Sequence, residues 1–133
     1  MLSQKARYAL RALISLAEAG EGASMMTGDL AAAAAVPRAF LERILLDLKR
    51  AGLVASRRGR AGGYGLARPA HEIDFAAIVR AIDGPLALAP CASRTAYRRC
   101  EDCADVETCA IRKALLDVRD ATALILERRK LAD

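Results

Sequence analysis

Apolar residues recur along the first half of the chain at the three- and four-residue spacing of an α-helix. Tyr8, Leu10, Leu13, Ile14, Leu16 and Ala17 define one helix over 3–19, and Gly20 and Gly22 stop the pattern. Thr27 is placed to cap a short helix over 28–35, in which Asp29 sits in the first turn and Leu30 with its alanines makes a thin, closely packing body. Pro37 then opens a third helix over 37–51, since a proline at the first helical position gives up no needed N–H. Its apolar side carries Phe40, Leu41, Ile44, Leu45 and Leu48, and Gly52 ends it.

A short helix, a tight turn and an amphipathic helix with basic residues at its front form the arrangement that delivers a second helix to the DNA major groove. Any two packed helices share that outline, so the next segment matters. Residues 53–57 read as a strand, 58–63 as a basic, glycine-rich turn and 64–68 as a returning strand. The glycines in GRAGGYG are no nucleotide fingerprint, because they lead into a strand and not into a helix N-terminus. The hairpin reads as a wing whose backbone can approach phosphates closely while arginines reach an adjacent groove.

A fourth helix over 74–82 follows, with Phe75, Ile78, Val79 and Ile82 as its stripe, and Gly84-Pro85 breaks it. The only histidine, His71, precedes it and is assigned no role. Near the end of the chain Ile111, Leu115, Val118, Thr122 and Ile125 alternate at four and three residues, and Leu124 and Leu131 widen the stripe. A helix over 110–130 is longer than a small winged domain needs for its own core. Dimerisation explains it, and folding back over its own domain is the alternative.

Composition agrees with a mainly α fold: 54% of residues are hydrophobic, yet only 4% are aromatic and none is tryptophan. The 133 residues suffice for one core without disulfide support. The net charge of +5 is segregated. Residues 1–70 hold 11 Lys and Arg against 5 Asp and Glu, whereas residues 71–133 hold 10 against 11. A basic N-terminal half suits a polyanion, although a solvated basic face would count the same. The chain opens directly on an amphipathic pattern, without a signal core or a run near the ~20 apolar residues of a membrane span, so a cytoplasmic location is expected and no membrane partner.

All four cysteines fall in one polar stretch, CASRTAYRRCEDCADVETC, with eight residues between Cys91 and Cys100, two between Cys100 and Cys103, and five between Cys103 and Cys109. Structural cysteines scatter over apolar faces, so this clustering points to metal binding or thiol chemistry. In a reducing compartment, ligands or redox sensors are expected before a disulfide frame. Thiolates suit iron–sulfur clusters or zinc, and Arg94, Arg98, Arg99 and Arg112 stand close enough in sequence to favour the thiolate form. No paired carboxylates, no serine or cysteine beside a histidine and no phosphate loop support catalysis. The chain is expected not to be an enzyme.

The stretches LSQKARYALRAL, VPRAFLERILLDLKRAGLV, SRRGRAGGYGLARP and IVRAIDGPL, in fixed order ahead of the cysteine loop, resemble the Rrf-two family of winged-helix transcription regulators. That resemblance implies a winged helix-turn-helix domain over 1–84, a cysteine-rich sensor loop over 85–109 and a dimerisation helix over 110–133. It implies a homodimer on double-stranded operator DNA, controlled by an iron–sulfur cluster of either the 2Fe–2S or the 4Fe–4S type that senses iron, redox state or nitric oxide. Cys91 matches the first ligand position and Cys109 the third, with Cys100 or Cys103 as the second. In one branch of the family a histidine three residues after the last cysteine completes the ligand set; Arg112 stands there in this chain.

The resemblance further places Ala39, Phe40, Glu42 and Arg43 where the recognition helix meets bases, and Arg58 where a wing arginine enters the minor groove. Arg43 is able to donate two bonds to a guanine edge and Glu42 to accept from a cytosine amino group. Lys5, Arg7, Arg38 and Arg57 are expected on phosphates, and Arg60 extends the wing's basic tip. Two alternatives remain open for the loop. Four cysteines that include a CxxC can hold zinc, although only Cys100 and Cys103 are so closely spaced. A metal-free thiol switch is the other. An interaction module that binds metal without reading DNA directly is a further possibility, and a steep salt dependence of DNA binding would separate the classes.

Overall fold

In the computed structural model, residues 2–58, 62–99, 105 and 107–133 are described. The element order is α1 (Gln4–Glu18), α2 (Thr27–Ala34), α3 (Arg38–Arg50), β1 (Val54–Arg57), β2 (Gly63–Leu66), α4 (Phe75–Asp83) and α5 (Ala110–Arg128). Single 3₁₀ turns at Ala70–Glu72 and Pro90–Ala92 flank α4. This is the mainly helical, winged arrangement expected from the residue pattern.

Helix α1 is the central post. Ser3 caps it, its Oγ accepting from the Ala6 N–H at 3.0 Å, while Asp83 at the far end of α4 accepts from the Ser3 N–H at 3.0 Å and from its hydroxyl. Ala6, Ala9, Ala12, Leu13 and Leu16 are its buried residues. The alanines on that face let α2, α3 and α4 pack closely around the leucines. The core is completed by Leu30, Leu41, Ile44, Leu45, Leu48, Leu53, Ile73 and Ile78.

The turn between α2 and α3 differs in detail from the sequence reading. Thr27 is the first residue of α2 and makes no cap; Met26 holds the cap position without a side-chain bond. Pro37 stands one residue ahead of α3, with its carbonyl accepting from the Leu41 N–H at 3.0 Å. Between the helices Ala35 takes a left-handed conformation (φ 55°), and the Val36 N–H closes back on the Ala31 carbonyl at 3.0 Å. A non-glycine residue there costs about 1–2 kcal/mol, offset by the burial of Val36 in the core.

The wing pairs β1 and β2 antiparallel in the register Val54↔Leu66, Ala55↔Gly65, Ser56↔Tyr64 and Arg57↔Gly63. Its outer edge is also paired. Met25 and Tyr64 exchange two backbone bonds of 2.9 and 2.8 Å, which ties β2 to the segment before α2. That closeness requires glycine at 63, where φ is +118° and a Cβ would lie 2.0 Å from the Met25 carbonyl oxygen.

Cys109 stands at the cap of α5, its Sγ accepting from the Arg112 N–H, and only Ala123 of the helix is buried. After Arg128 the chain turns back onto the winged domain. The Phe75 N–H donates to the Arg129 carbonyl at 2.9 Å, the Leu131 N–H donates to the Ile73 carbonyl at 3.0 Å, and Leu131 is buried in the common core. Leu131 therefore does not widen the stripe of α5, because the helix has ended and the side chain points the other way. Much of the stripe is bare on this chain: Ile111 is 72% exposed, Ile125 67%, Leu124 51% and Val118 45%, while Leu115 and Thr122 are half-buried.

Candidate functional site

Two sites follow from this frame, a basic face on α1, α3 and the wing, and the cysteine loop at the root of α5. On the basic face, Arg38, Ala39, Phe40, Glu42 and Arg43 all lie on the exposed side of α3, opposite the buried Leu41, Ile44, Leu45 and Leu48. Arg43 lines a cleft between α1 and α3 together with Gln4, Lys5, Tyr8, Phe40 and Arg50. Among the described residues, neither Arg43 nor Arg7 forms an ion pair, and both are exposed.

The other charged candidates have protein partners. Arg38 Nε lies 3.5 Å from Glu42 Oε1 across one helical turn, an exposed pair worth only a few tenths of a kcal/mol. Such a pair opens at little cost. Lys5 is held more firmly, with Nζ 2.5 Å from Asp47 Oδ2 and Arg50 supporting the other oxygen at 3.7 Å. The hydrogen bond from Lys5 holds the Asp47 carboxyl below the usual carboxylate range; slight burial opposes this, and the charges of Lys5, Arg50 and Arg43 reinforce it. Lys5 thus joins α1 to α3 as well as adding to the basic face.

On the wing, Arg57 and Arg58 are exposed, and Arg60 lies outside the described residues. The Arg57 guanidinium lies across the hairpin over Gly65, where a Cβ would meet its Nε at 2.8 Å and the Ala23 carbonyl oxygen at 2.7 Å. Lys49 Nζ donates to Ser56 Oγ at 3.1 Å and so fixes the wing to the end of α3. Gln4 and Arg50 were given no site role by the sequence, and Tyr8 was read there only as part of the apolar pattern of the first helix. The signal for them was the helical spacing of Gln4 and Tyr8, on the side of α1 that meets α3.

In the loop, Cys91 is buried in the Pro90–Ala92 turn and Cys109 is half-buried at the start of α5. Arg112 connects them. Its N–H donates to Cys109 Sγ at 3.5 Å, its Nε donates to the Cys91 carbonyl at 3.0 Å, and its guanidinium stands 5.9 Å from the centre of the Tyr97 ring. Ser93 shapes the turn, its hydroxyl accepting from the Thr95 and Ala96 N–H groups at 3.3 and 2.9 Å. Arg94 binds Asp120 of α5 through two bonds of 3.1 and 2.8 Å. The pair lowers the Asp120 carboxyl and raises the Arg94 guanidinium, each chiefly through the hydrogen bonds between them.

Arg94 therefore anchors the loop to α5, and Arg112 faces a carbonyl and a ring; neither is an idle cation beside a thiolate. Cys100 and Cys103 lie outside the described residues. Among the described residues no group of three or more His, Cys, Asp or Glu side chains could hold a metal ion, and no helix is long and apolar enough to cross a membrane. What the loop does provide is two cysteines at its opposite ends, Cys109 with its Sγ at the start of α5 and Cys91 with its backbone carbonyl held by Arg112 of the first turn.

Comparison with known proteins places this geometry. The Rrf2 family, described as an iron-dependent transcriptional regulator, matches residues 2–133. A rrf2-like HTH-type transcriptional regulator of Rhodobacter capsulatus is 42% identical over 136 residues, covering 100% of this chain and 91% of the relative. The HTH-type transcriptional regulator NsrR of Geobacillus kaustophilus is 31% identical over 132 residues, 99% of this chain and 87% of that one. Among solved structures, CymR, the global cysteine regulator of Bacillus subtilis, superposes with a TM-score of 0.80 at 28% identity, over 100% of this chain and 94% of the other. The chain belongs to the Rrf2 family, as a DNA-binding transcriptional regulator of winged-helix fold and not an enzyme.

Proposed function

We propose that this chain acts as a homodimer whose affinity for operator DNA follows the state of an iron–sulfur cluster held by thiolates of the Cys91–Cys109 loop. The observation that carries the reading is Arg112, which links the carbonyl of Cys91 to the thiol of Cys109 at the first turn of α5. The two ends of the loop are thereby joined to the helix whose apolar stripe this chain leaves largely bare. The family's description as iron-dependent supports an iron-containing occupant. Such a cluster, when bound, supplies an iron centre sensitive to iron supply, oxidants and nitric oxide. Cys91 and Cys109 would hold it together with Cys100 or Cys103, and Arg112, a cation that cannot ligate, takes the place where a nitrogen ligand would otherwise stand.

The chain's own residues then do the rest. The 1–84 part presents α3 to the major groove, with Ala39, Phe40, Glu42 and Arg43 toward base edges. Arg58 and Arg60 carry the wing to the minor groove, and Lys5, Arg7, Arg38 and Arg57 meet phosphates. The 85–109 loop senses, and the 110–133 part dimerises. Val118 and Thr122 border an apolar groove of about 510 Å³ against α1, α4 and residues 85–88, and a second copy's α5 would continue this surface. Operator half-sites lie about 34 Å apart, so a small shift of α5 between protomers changes the fit of both recognition helices.

The test is an ultraviolet–visible spectrum of protein purified without air, with iron, sulfide and zinc analysis. Visible absorption with matching iron and sulfide is expected. A colourless protein with one zinc per chain would replace the cluster by a zinc site, and one without metal would leave a thiol switch.

A further inference from the structure

Two large apolar groups of α3 face water, Phe40 at 59% exposure on the front turn and Leu46 at 48%, whereas Leu41, Ile44, Leu45 and Leu48 are buried. Exposing a phenyl ring to water has a cost, yet this ring is positioned. Its centroid lies 6.3 Å from that of Tyr8 at an interplanar angle of 49°, within the range of a favourable aromatic pair. Tyr8 is itself held from two sides: Gln4 Nε2 donates to its hydroxyl at 2.9 Å, and the Arg11 guanidinium stands 5.7 Å from its ring centre. The charged groups in the same cleft are the cations Lys5, Arg43 and Arg50 and the single carboxylate Asp47, which pairs with Lys5 and Arg50 and leaves the cleft net cationic.

A buttressed apolar ring within a cationic cleft suits a target that is polyanionic yet carries one apolar projection. In the major groove only thymine offers that, through its C5 methyl group. We infer that Phe40 is a specificity-determining residue that reads a thymine methyl in each operator half-site, and that Tyr8 is the positioning residue that sets its ring. This rests on α3 being the helix that enters the groove. The ring gives no hydrogen bond, so its selectivity is for the methyl alone.

The test begins with selection of duplexes by the full-length dimer from a random pool, followed by replacement of each thymine in the tightest duplex by deoxyuridine, one at a time. Removing one buried methyl is expected to weaken binding about fourfold at a single thymine per half-site. At that position Phe40→Ala brings the thymine-to-uracil ratio close to one. Tyr8→Phe keeps the ratio and Tyr8→Ala lowers it, a readout that general loss of stability does not move because both duplexes are measured with the same protein. Because Phe40 is largely exposed and gives up only its pairing with Tyr8, Phe40→Ala is expected to lower the melting temperature by only a few degrees. An operator with no uracil-sensitive thymine would overturn the inference, as would a fourfold ratio that survives in Phe40→Ala. Enrichment of no duplex at all would overturn the recognition-helix reading itself, and this inference with it.

Discussion

Replacing Gly63 by alanine tests the way the wing is held. At φ +118° the new Cβ would fall 2.0 Å from the Met25 carbonyl oxygen and 2.5 Å from its carbon, against an ordinary contact of 3.4 Å or more. Both atoms are backbone, so β2 must move off the segment before α2, and the two Met25–Tyr64 bonds of 2.9 and 2.8 Å open. Two such bonds contribute about 2 kcal/mol together, and alanine in a left-handed conformation costs about 1 kcal/mol more. A loss of about 3 kcal/mol, or about 10 °C in melting temperature for a chain of this size, is expected. Gly20→Ala is the control, because its φ of +104° carries the same conformational cost with nothing within 4 Å of the new Cβ. Urea unfolding followed by circular dichroism gives the comparison. Displacing Arg57 and Arg58 should also lower the salt slope of DNA binding by about 1–2 phosphate equivalents. If Gly63→Ala matches Gly20→Ala in both assays, the wing is not held by this contact.

Three further outcomes follow from the core, the largely bare stripe of α5 and the ion pairs between segments. Leu131→Ala removes a buried leucine from the core and is expected to cost about 2–5 kcal/mol in urea unfolding; a loss under 1 kcal/mol would mean that the segment after α5 is not clamped. Ile125→Asp places a charge on a side chain 67% exposed here and, on the proposed dimer interface, weakens self-association on the order of 100-fold or more by sedimentation; an unchanged dimer would refute that interface. The carboxyls of Asp47, Asp120 and Glu127 are each lowered, chiefly by hydrogen bonds from Lys5, Arg94 and Arg80 respectively. A lowered carboxyl stabilises the fold above its ordinary range and loses that contribution as pH falls through its lowered value, so melting temperature should drop below the ordinary carboxylate range, less steeply in Asp120→Asn. An identical acid profile for that variant would show that the Arg94–Asp120 link does not matter.

The helices were legible because the sequence repeats its apolar residues at one period per element, and Gly20, Gly52 and Gly84 mark the ends. Contacts between distant residues were not. Asp83 meets Ser3, Met25 pairs with Tyr64, and Leu131 returns to Ile73, none of which leaves a local pattern. Thr27 looked like a cap because capping is read from residue type, whereas the chain's entry into α2 is set by the Met25 bridge next to it. At the site, residue types and spacing marked the cysteines, but the function of Arg112 as a link between Cys91 and Cys109 depends on a turn eighteen residues upstream of Cys109. Phe40 was read twice, as part of the apolar stripe by its helical spacing and as a base-facing residue by resemblance; its 59% exposure agrees with the second reading and not with the first.

The measurement closest to the central claim compares operator affinity of one protein preparation, first as purified without air and then after its metal has been removed by chelation under oxidation. With coupling between sites of the usual 1–3 kcal/mol, affinity is expected to change between about 5- and 150-fold, and substituting Cys91 and Cys109 by serine should abolish the difference. Equal affinity in both states would contradict the claim that the Cys91–Cys109 loop governs binding.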